Sequence, residues 1–410
     1  MGSRARIAPW LLAGLGALAL GLYLYPRVGD PGAHWPLWDV RVYWWGGQQA
    51  LHGAALYGGH ALYHFTYPPF AAALFGLAAP TQDFLEAALT VAGAGALALL
   101  CWLALGAAGV RRRPAVVFAA VALSLLLAPV VETLRLGEVN LILAALVGVD
   151  LLGRRDGARW QGVATGVAAG IKLTPLIFVV YLAITGRVRA AIVAAGAFGA
   201  TIAAGFVLLP SQSWAFWPGG LFLDQHRVGS PLNPGNQSIS GALARAAGSL
   251  AAARPWWLAV ALPGAIAGLA LAAWAHRRGH RLAGVVVCAL TGLLVSPFSW
   301  AHHWVWAVPL FVLLGAVAWR RRTLWPLAAA AALGVAFSGL VKMPWPGRDP
   351  DLGGLLAGDL YVLCGLAVLA AVALALTREP VGLPQLSFST EYQTRSATST
   401  RSSPARASRR

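Results

Sequence analysis

Long apolar runs separated by short clusters of arginine constrain this chain more than any other feature. The runs recur at about 8–25, 83–108, 114–131, 138–152, 160–186, 190–209, 256–275, 282–297, 303–318, 323–341 and 355–376. Most approach the roughly 17 to 25 residues needed to cross a hydrocarbon core. Between them stand Arg111 to Arg113, Arg154 and Arg155, Arg187 and Arg189, the HRRGHR of 276–281, and Arg320 to Arg322. The chain is 58% hydrophobic and 11% charged, with a mean hydropathy of +0.67. A soluble domain carries about a quarter charged residues, so this composition excludes that class. The expected fold is all-α and polytopic, with about 10–12 transmembrane helices and interfacial helices in the first outer loop. The net charge of +17 sits in the inter-helix clusters and not in one basic patch with interleaved aromatics, which argues against nucleic acid. Cys101, Cys288 and Cys364 fall inside predicted spans at no metal spacing, so neither a disulfide framework nor a zinc site is indicated.

The run at 8–25 follows Arg4 and Arg6 and lacks a small-residue cleavage site. It reads as a retained first helix and not a signal peptide. The positive-inside rule assigns every arginine cluster, and both termini, to the cytoplasm. That leaves 26–82, 132–137, 210–255, 298–302 and 342–354 on the outer face. Two stretches must then not cross the bilayer alone. FAAALFGLAA, 70–79, lies between Pro69 and Pro80 and is too short to span, so it is expected to lie in the interface. The run 160–186 is interrupted by IKLTP around Lys172 and Pro175, and reads as a broken or re-entrant pair aiming Lys172 at the outer half. Residues 1–376 thus form one membrane domain, with outer loops 26–82 and 210–255. Residues 377–410, rich in Ser, Thr and Arg, read as a disordered basic cytoplasmic tail.

The outer-face residues are the candidates for chemistry. In WPLWDVRVYW, 35–44, a helix starting at Pro36 puts Asp39, Tyr43 and Gly46 on one face. An aspartate there serves either catalysis or the helix dipole, the latter worth about 0.3 to 1 kcal/mol. ALYGGHALYHFTYPPF, 55–70, brings His64 and Tyr67 into an aromatic loop suited to stacking on a sugar or simply to an ordered interface. LRLGEVN, 134–140, sets Arg135, Glu138 and Asn140 at the mouth of two helices. Lys172 lies in an apolar segment, where an ammonium costs about 2.5 to 3.5 kcal/mol on insertion scales. Its partner is either an anionic ligand or an internal carboxylate. The loop 210–255 carries Arg227 in DQHR and Asn236 and Gln237 in NPGNQS. SPFSWAHHWVW, 296–306, places His302 and His303 at the outer end of a span, where hydrogen bonding or phosphate contact is favoured over metal ligation. No phosphate-cradling glycine loop or dinucleotide fingerprint occurs among the 47 glycines.

DVRVYW, FTYPPFAAALF, GEVNLILAAL followed by Asp150, GVAAGIKLTPLIF, NQSISG and SPFSWAHHWVW occur in this order. Together they resemble glycosyltransferase family 87, bacterial GT-C membrane enzymes that use polyprenyl-phosphate mannose. The resemblance runs from about residue 35 to 306. It implies a GT-C bundle and inverting transfer from a lipid-phosphate mannose to a glycolipid or lipoglycan on the outer face, giving an α-mannoside. It also implies that Asp39 is catalytic, that Lys172 lies near the donor phosphate, and that a histidine of the HHW motif, His302 by preference, serves the site. Tyr43, His64, Tyr67, Arg135, Glu138, Asn140, Arg227, Asn236, Gln237 and His303 would complete the substrate site. The donor is a substrate, and neither a cofactor nor a metal is expected. Where the family pattern reads GQVN, this chain has Gly137, Glu138, Val139 and Asn140. An arabinofuranosyl donor is the alternative within the enzymes. A lipid-linked sugar transporter shares the broken span, but no internal repeat supports it.

Overall fold

The computed structural model describes Gly14 and residues 16–18, 37–57, 64–341, 343–344 and 352–378. The expected first helix at 8–25 and the expected tail at 377–410 fall almost wholly outside these, as does Pro36. The described chain is helical throughout. An amphipathic α1 (Trp38–Leu51) and a short α2 (Pro69–Ala78) precede α3 (Gln82–Ala107), α4 (Pro114–Ser124), α5 (Ala128–Leu136) and α6 (Asn140–Gly148). A π turn at Val149–Gly153 leads to α7 (Val163–Ile171), α8 (Leu176–Ile184), α9 (Val188–Leu208) and α10 (Pro210–Phe216). Then come α11 (Ile239–Ala247), α12 (Leu250–Arg277), α13 (Arg281–Val295), a 3₁₀ turn at Ala301–Trp306 running into α14 (Ala307–Arg321), α15 (Trp325–Phe337), α16 (Leu352–Gly358) and α17 (Leu360–Arg378).

Among the described residues, five helices are long and apolar enough to cross a membrane: α3, α9, α12, the 301–321 segment and α17. A sixth candidate is the pair α4 and α5, bent by 80° at residues 125–127. The apolar run at 114–131 therefore breaks, because Pro129 sits in the first turn of α5 and starts a new helix there. Several of the remaining apolar runs are too short to span alone. These include α2, α13, α15 and the stretch 140–153. The long helices turn apolar side chains outward, Val91, Ile192, Val207 and Ile266 each more than 60% exposed, as helices facing acyl chains do. The protein is a multi-pass membrane protein.

The segment 70–79 is not a span. It forms α2, which crosses α1 where Gly47 meets Gly76. A Cβ on Gly47 would lie 2.7 Å from the Gly76 nitrogen, and one on Gly76 would lie 2.6 Å from the Gly47 carbonyl oxygen. Tyr43 stacks on Phe75 at 4.4 Å, and Phe65 lies against Gly46. A second small-residue seam joins α7 to α9, since Cβ atoms on Gly162, Gly166 and Gly170 would collide with Ala190, Ala194 and Thr201. Glycines at four-residue spacing let helices approach this closely in lipid, where dispersion and not hydrophobicity drives association. The broken span is present as expected. Helix α7 ends at Ile171, Lys172 is extended (φ −147°, ψ 135°), and Pro175 precedes α8.

Candidate active site

The turn between α5 and α6 organises the site. Gly137 ends α5 at φ +70°, a conformation that favours glycine. A Cβ there would lie 2.1 Å from Val40 Cγ2, so only glycine lets α1 dock on the turn. The Leu37 N–H donates to the Arg135 carbonyl at 3.1 Å, fixing the start of α1 at the same place. This docking carries Asp39 and Tyr43 to Glu138.

Glu138 is only 4% exposed and accepts four hydrogen bonds. Its Oε1 accepts from the Tyr67 hydroxyl at 2.5 Å, the Tyr43 hydroxyl at 3.0 Å and Lys172 Nζ at 2.9 Å. Its Oε2 accepts from the Asn140 N–H at 3.0 Å. Lys172 donates also to Asn140 Oδ1 at 3.0 Å and meets His303 Nε2 at 3.1 Å, which uses all three ammonium hydrogens. With the Lys172 ammonium as donor, His303 carries its own proton on Nδ1, which is buried without a hydrogen-bond partner. The His302 carbonyl accepts from Thr133 Oγ1 at 2.9 Å and Asn140 Nδ2 at 3.0 Å, so the histidine loop is tied to the same turn. The His302 ring packs edge-on against His303 at 4.9 Å and stacks over Trp300.

Asp39 is the other carboxyl of the cluster. It is half-buried and accepts no hydrogen bond from any described residue. Burial and the neighbouring Glu138 charge push its pKa up to about 8, against the opposing pull of Lys172. Burial would also raise Glu138, but Lys172 and His302, with the donated hydrogen bonds, hold it down at about 2. Two adjacent carboxyls thus have separated roles: one is permanently charged and internally paired, the other titrates near neutrality and is open. That separation is what a general base needs.

Glu138, His302 and His303 also bring ligand atoms within 4.8 Å of one another. The Lys172 ammonium already bonds two of the three, so the cation this set is built around is the lysine.

The structure gathers Asp39, Tyr43, Tyr67, Glu138, Asn140, Lys172, His302 and His303, from chain positions more than 260 residues apart. Five of the expected substrate contacts lie outside this set. Asn236 and Gln237 are fully buried and spent on protein. Asn236 Oδ1 accepts from the Ser299 N–H at 3.0 Å, and Gln237 Nε2 donates to the Pro234 and Gly358 carbonyls at 2.6 and 2.5 Å. These bonds clamp the loop that carries the histidines. Arg227 donates to the Phe65 carbonyl at 2.6 Å and lies over the Tyr57 ring. His64 is exposed beyond the cluster, and Arg135 is exposed at its mouth. The anionic partner of Lys172, left open between ligand and carboxylate, is the internal Glu138.

Three positions of the assembly had no sequence signal assigned to them. Thr133 orients the His302 carbonyl. Arg245, 2% exposed, pairs with Asp359 and donates to the Asn233 and Asn236 carbonyls at 2.9 and 3.0 Å. An acid inside the apolar run 355–376 was the available sign of that pair.

The sequence profile of glycosyltransferase family 87 matches residues 65–297. The chain belongs to glycosyltransferase family 87. A polyprenol-phosphate-mannose-dependent alpha-(1-2)-phosphatidylinositol mannoside mannosyltransferase of Mycobacterium tuberculosis is 33% identical over 405 residues, covering 90% of each chain. A protein of the same description from Mycolicibacterium smegmatis is 32% identical, covering 82% of this chain and 83% of its own. A Mycobacterium tuberculosis phosphatidylinositol pentamannoside mannosyltransferase is 33% identical, covering 88% and 86%. No solved structure matches the chain significantly. This family 87 member therefore pairs an open aspartate with a buried Glu138 and Lys172 at the end of an all-helical bundle.

Proposed function

We propose that the Asp39 cluster is the catalytic centre and that it faces the outside of the cell. The protein is a glycosyltransferase, transferring mannose from polyprenyl-phosphate mannose to a glycolipid. Its relatives are named for phosphatidylinositol mannosides, and an acceptor of that kind is the proposed one here.

The chemistry follows from the donor. A sugar on a polyprenyl phosphate already carries a good leaving group, because a phosphate monoester's second pKa is about 6 and the departing dianion is stable at neutral pH. A general acid is then superfluous. The acceptor hydroxyl oxygen forms a bond to the mannose C1 while the C1–O bond to phosphate breaks. The bonding electrons leave with polyprenyl phosphate, and the hydroxyl proton passes to the Asp39 carboxylate. Attack opposite the leaving group inverts a β-linked donor to an α-mannoside. One carboxylate suffices, in contrast to the pair that a glycosidase needs. The observation that carries this reading is the contrast between the two acids: Glu138 is buried and takes four internal hydrogen bonds, whereas Asp39 is half-buried, accepts no hydrogen bond from any described residue and is poised to titrate.

Lys172 holds Glu138, Asn140 and His303 in place, and its charge favours the phosphate without a direct bond. Arg135, exposed at the mouth, and the His302 ring are the groups proposed to meet the phosphate. No metal is required on this reading, the lysine supplying the local positive charge. The outer-face placement is supported by the arginines. Residues 140–153 run about 20 Å at the rise of a helix, from the Glu138 turn to an opposite end where Arg154, Arg187 and Arg281 gather. Purified protein given polyprenyl-phosphate mannose and a phosphatidylinositol mannoside should yield a product that α-mannosidase reverses. Transfer from polyprenyl-phosphate arabinose in place of mannose would overturn the donor assignment.

A further inference from the structure

The end of the bundle remote from Asp39 holds a cavity of about 200 Å³, between the loop after the π turn and the turn joining α8 to α9. Asp156, Gln161, Arg187, Val188 and Arg189 line it. The Arg187 side chain is 6% exposed. Its Nε donates to Thr185 Oγ1 at 3.1 Å, but neither Nη1 nor Nη2 makes a hydrogen bond. Its nearest carboxylate oxygen, Asp156 Oδ1, is 3.6 Å away and is shared with Arg281 at 3.4 Å. Nearby, Arg154 pairs with Asp150 at 3.4 Å, and Arg189 donates to the Gly157 carbonyl at 3.3 Å. Four arginines thus face two aspartates, an excess of two positive charges. The Nδ1 of His276, on the helix beside Tyr181, is also buried without a partner.

Buried guanidinium nitrogens without acceptors are costly, since each forfeits its water without replacement. A forked donor set of this kind matches the oxygens of a phosphate. The first turn of α9, a 21-residue helix, adds its dipole at Val188. We propose that this cavity binds a phosphate-ester anion, carried by the headgroup of an anionic phospholipid. The setting favours a lipid: Val188 at the rim is 54% exposed and begins the outward face that continues through Ile192, 66% exposed, so an acyl chain has an apolar surface to follow from the cavity. Basic pockets between transmembrane helices at the membrane surface recognise headgroups in this manner.

The test uses full-length protein from micelles containing equal phosphatidylglycerol and phosphatidylcholine, with retained lipid counted by native mass spectrometry. Neither lipid carries mannose, so the result is independent of the transferase reading. Wild type should retain phosphatidylglycerol selectively. Val188→Glu places a carboxylate at the rim, in a first helical turn where an acid is tolerated, and should lower retention about tenfold. Arg187→Gln should do the same. Thermal protection by inorganic phosphate alone, lost in Val188→Glu, would keep the anion chemistry and assign it to a soluble phosphate ester. Equal retention of the two lipids with no response to phosphate, or undiminished selectivity in both variants, overturns the proposal.

Discussion

Glu138→Gln is the substitution that bears most directly on how the two acids divide their work. In the native site Glu138 receives four hydrogen bonds, one from the Lys172 ammonium at 2.9 Å. A glutamine offers one oxygen and one N–H₂ group, so at least one of these donors loses its acceptor. An orphaned buried donor costs about 1 to 3 kcal/mol, and a buried ammonium deprived of its carboxylate costs up to about 3 to 5. A stability loss of about 3 kcal/mol is the central expectation. The electrostatic effect on Asp39 has the opposite sense for catalysis. Glu138 raises the Asp39 pKa and Lys172 lowers it; the substitution removes the first influence and leaves the second uncompensated. A nearby opposite charge lowers a carboxyl by about 1 to 3 units. The assay is kcat/KM from pH 5.5 to 9.5, which reports the free enzyme's base. Wild type should rise with pH through a midpoint near 8, where Asp39 is half ionised, and level off about one unit above it. The variant's midpoint should move at least about one unit lower. An unmoved midpoint, or one moved upward, would refute the contribution of the Glu138 charge to the raised Asp39 pKa.

Three further expectations follow from particular contacts. Gly47→Val forces a side chain into the Gly76 backbone, 2.7 Å away from a Cβ, and should cost about 3 kcal/mol or more by overpacking; thermal unfolding that matches wild type would contradict the α1–α2 contact. Mannosyl transfer should survive exhaustive treatment with EDTA, because Lys172 supplies the site's cation; activity lost on chelation and restored by a divalent ion would contradict this. Asp39 has a folded pKa of about 8 against an ordinary 3.8, so the unfolded chain ionises first and the native state loses stability as pH rises between those values. Asp39→Asn should therefore raise the melting temperature more at pH 8.5 than at pH 5, and an equal effect at both would argue that Asp39 is not perturbed.

Much of the architecture was legible because its signals are local. The short helix at 70–79, the break at Lys172 and the shared face of Asp39 and Tyr43 each follow from apolar run length, a proline or helical spacing, and each is present. The bend at 125–127 was hidden by leucines that continue the apolar run past the end of α4. What sequence does not carry is pairing at a distance. Glu138 and Lys172 are 34 positions apart, and either residue alone reads equally as a ligand contact. Asn236 and Gln237 are polar residues on an outer loop, which is also the description of a substrate contact. Only their burial against the Ser299 and Gly358 backbones reveals a clamp. Arg245, in the expected outer loop, and Asp359, in the apolar run 355–376, are 114 positions apart and hold that clamp together.

The most direct test of the account compares mannosyl transfer by wild type and Asp39→Asn, with donor binding measured on the same preparations. Asparagine keeps the size of the side chain and removes its basicity. General-base assistance contributes about 10² to 10⁴ in rate. In Asp39→Asn kcat should fall by a factor of that size, with polyprenyl-phosphate mannose still bound as tightly as by wild type. Transfer at the wild-type rate would remove Asp39 from the chemistry and contradict the central claim.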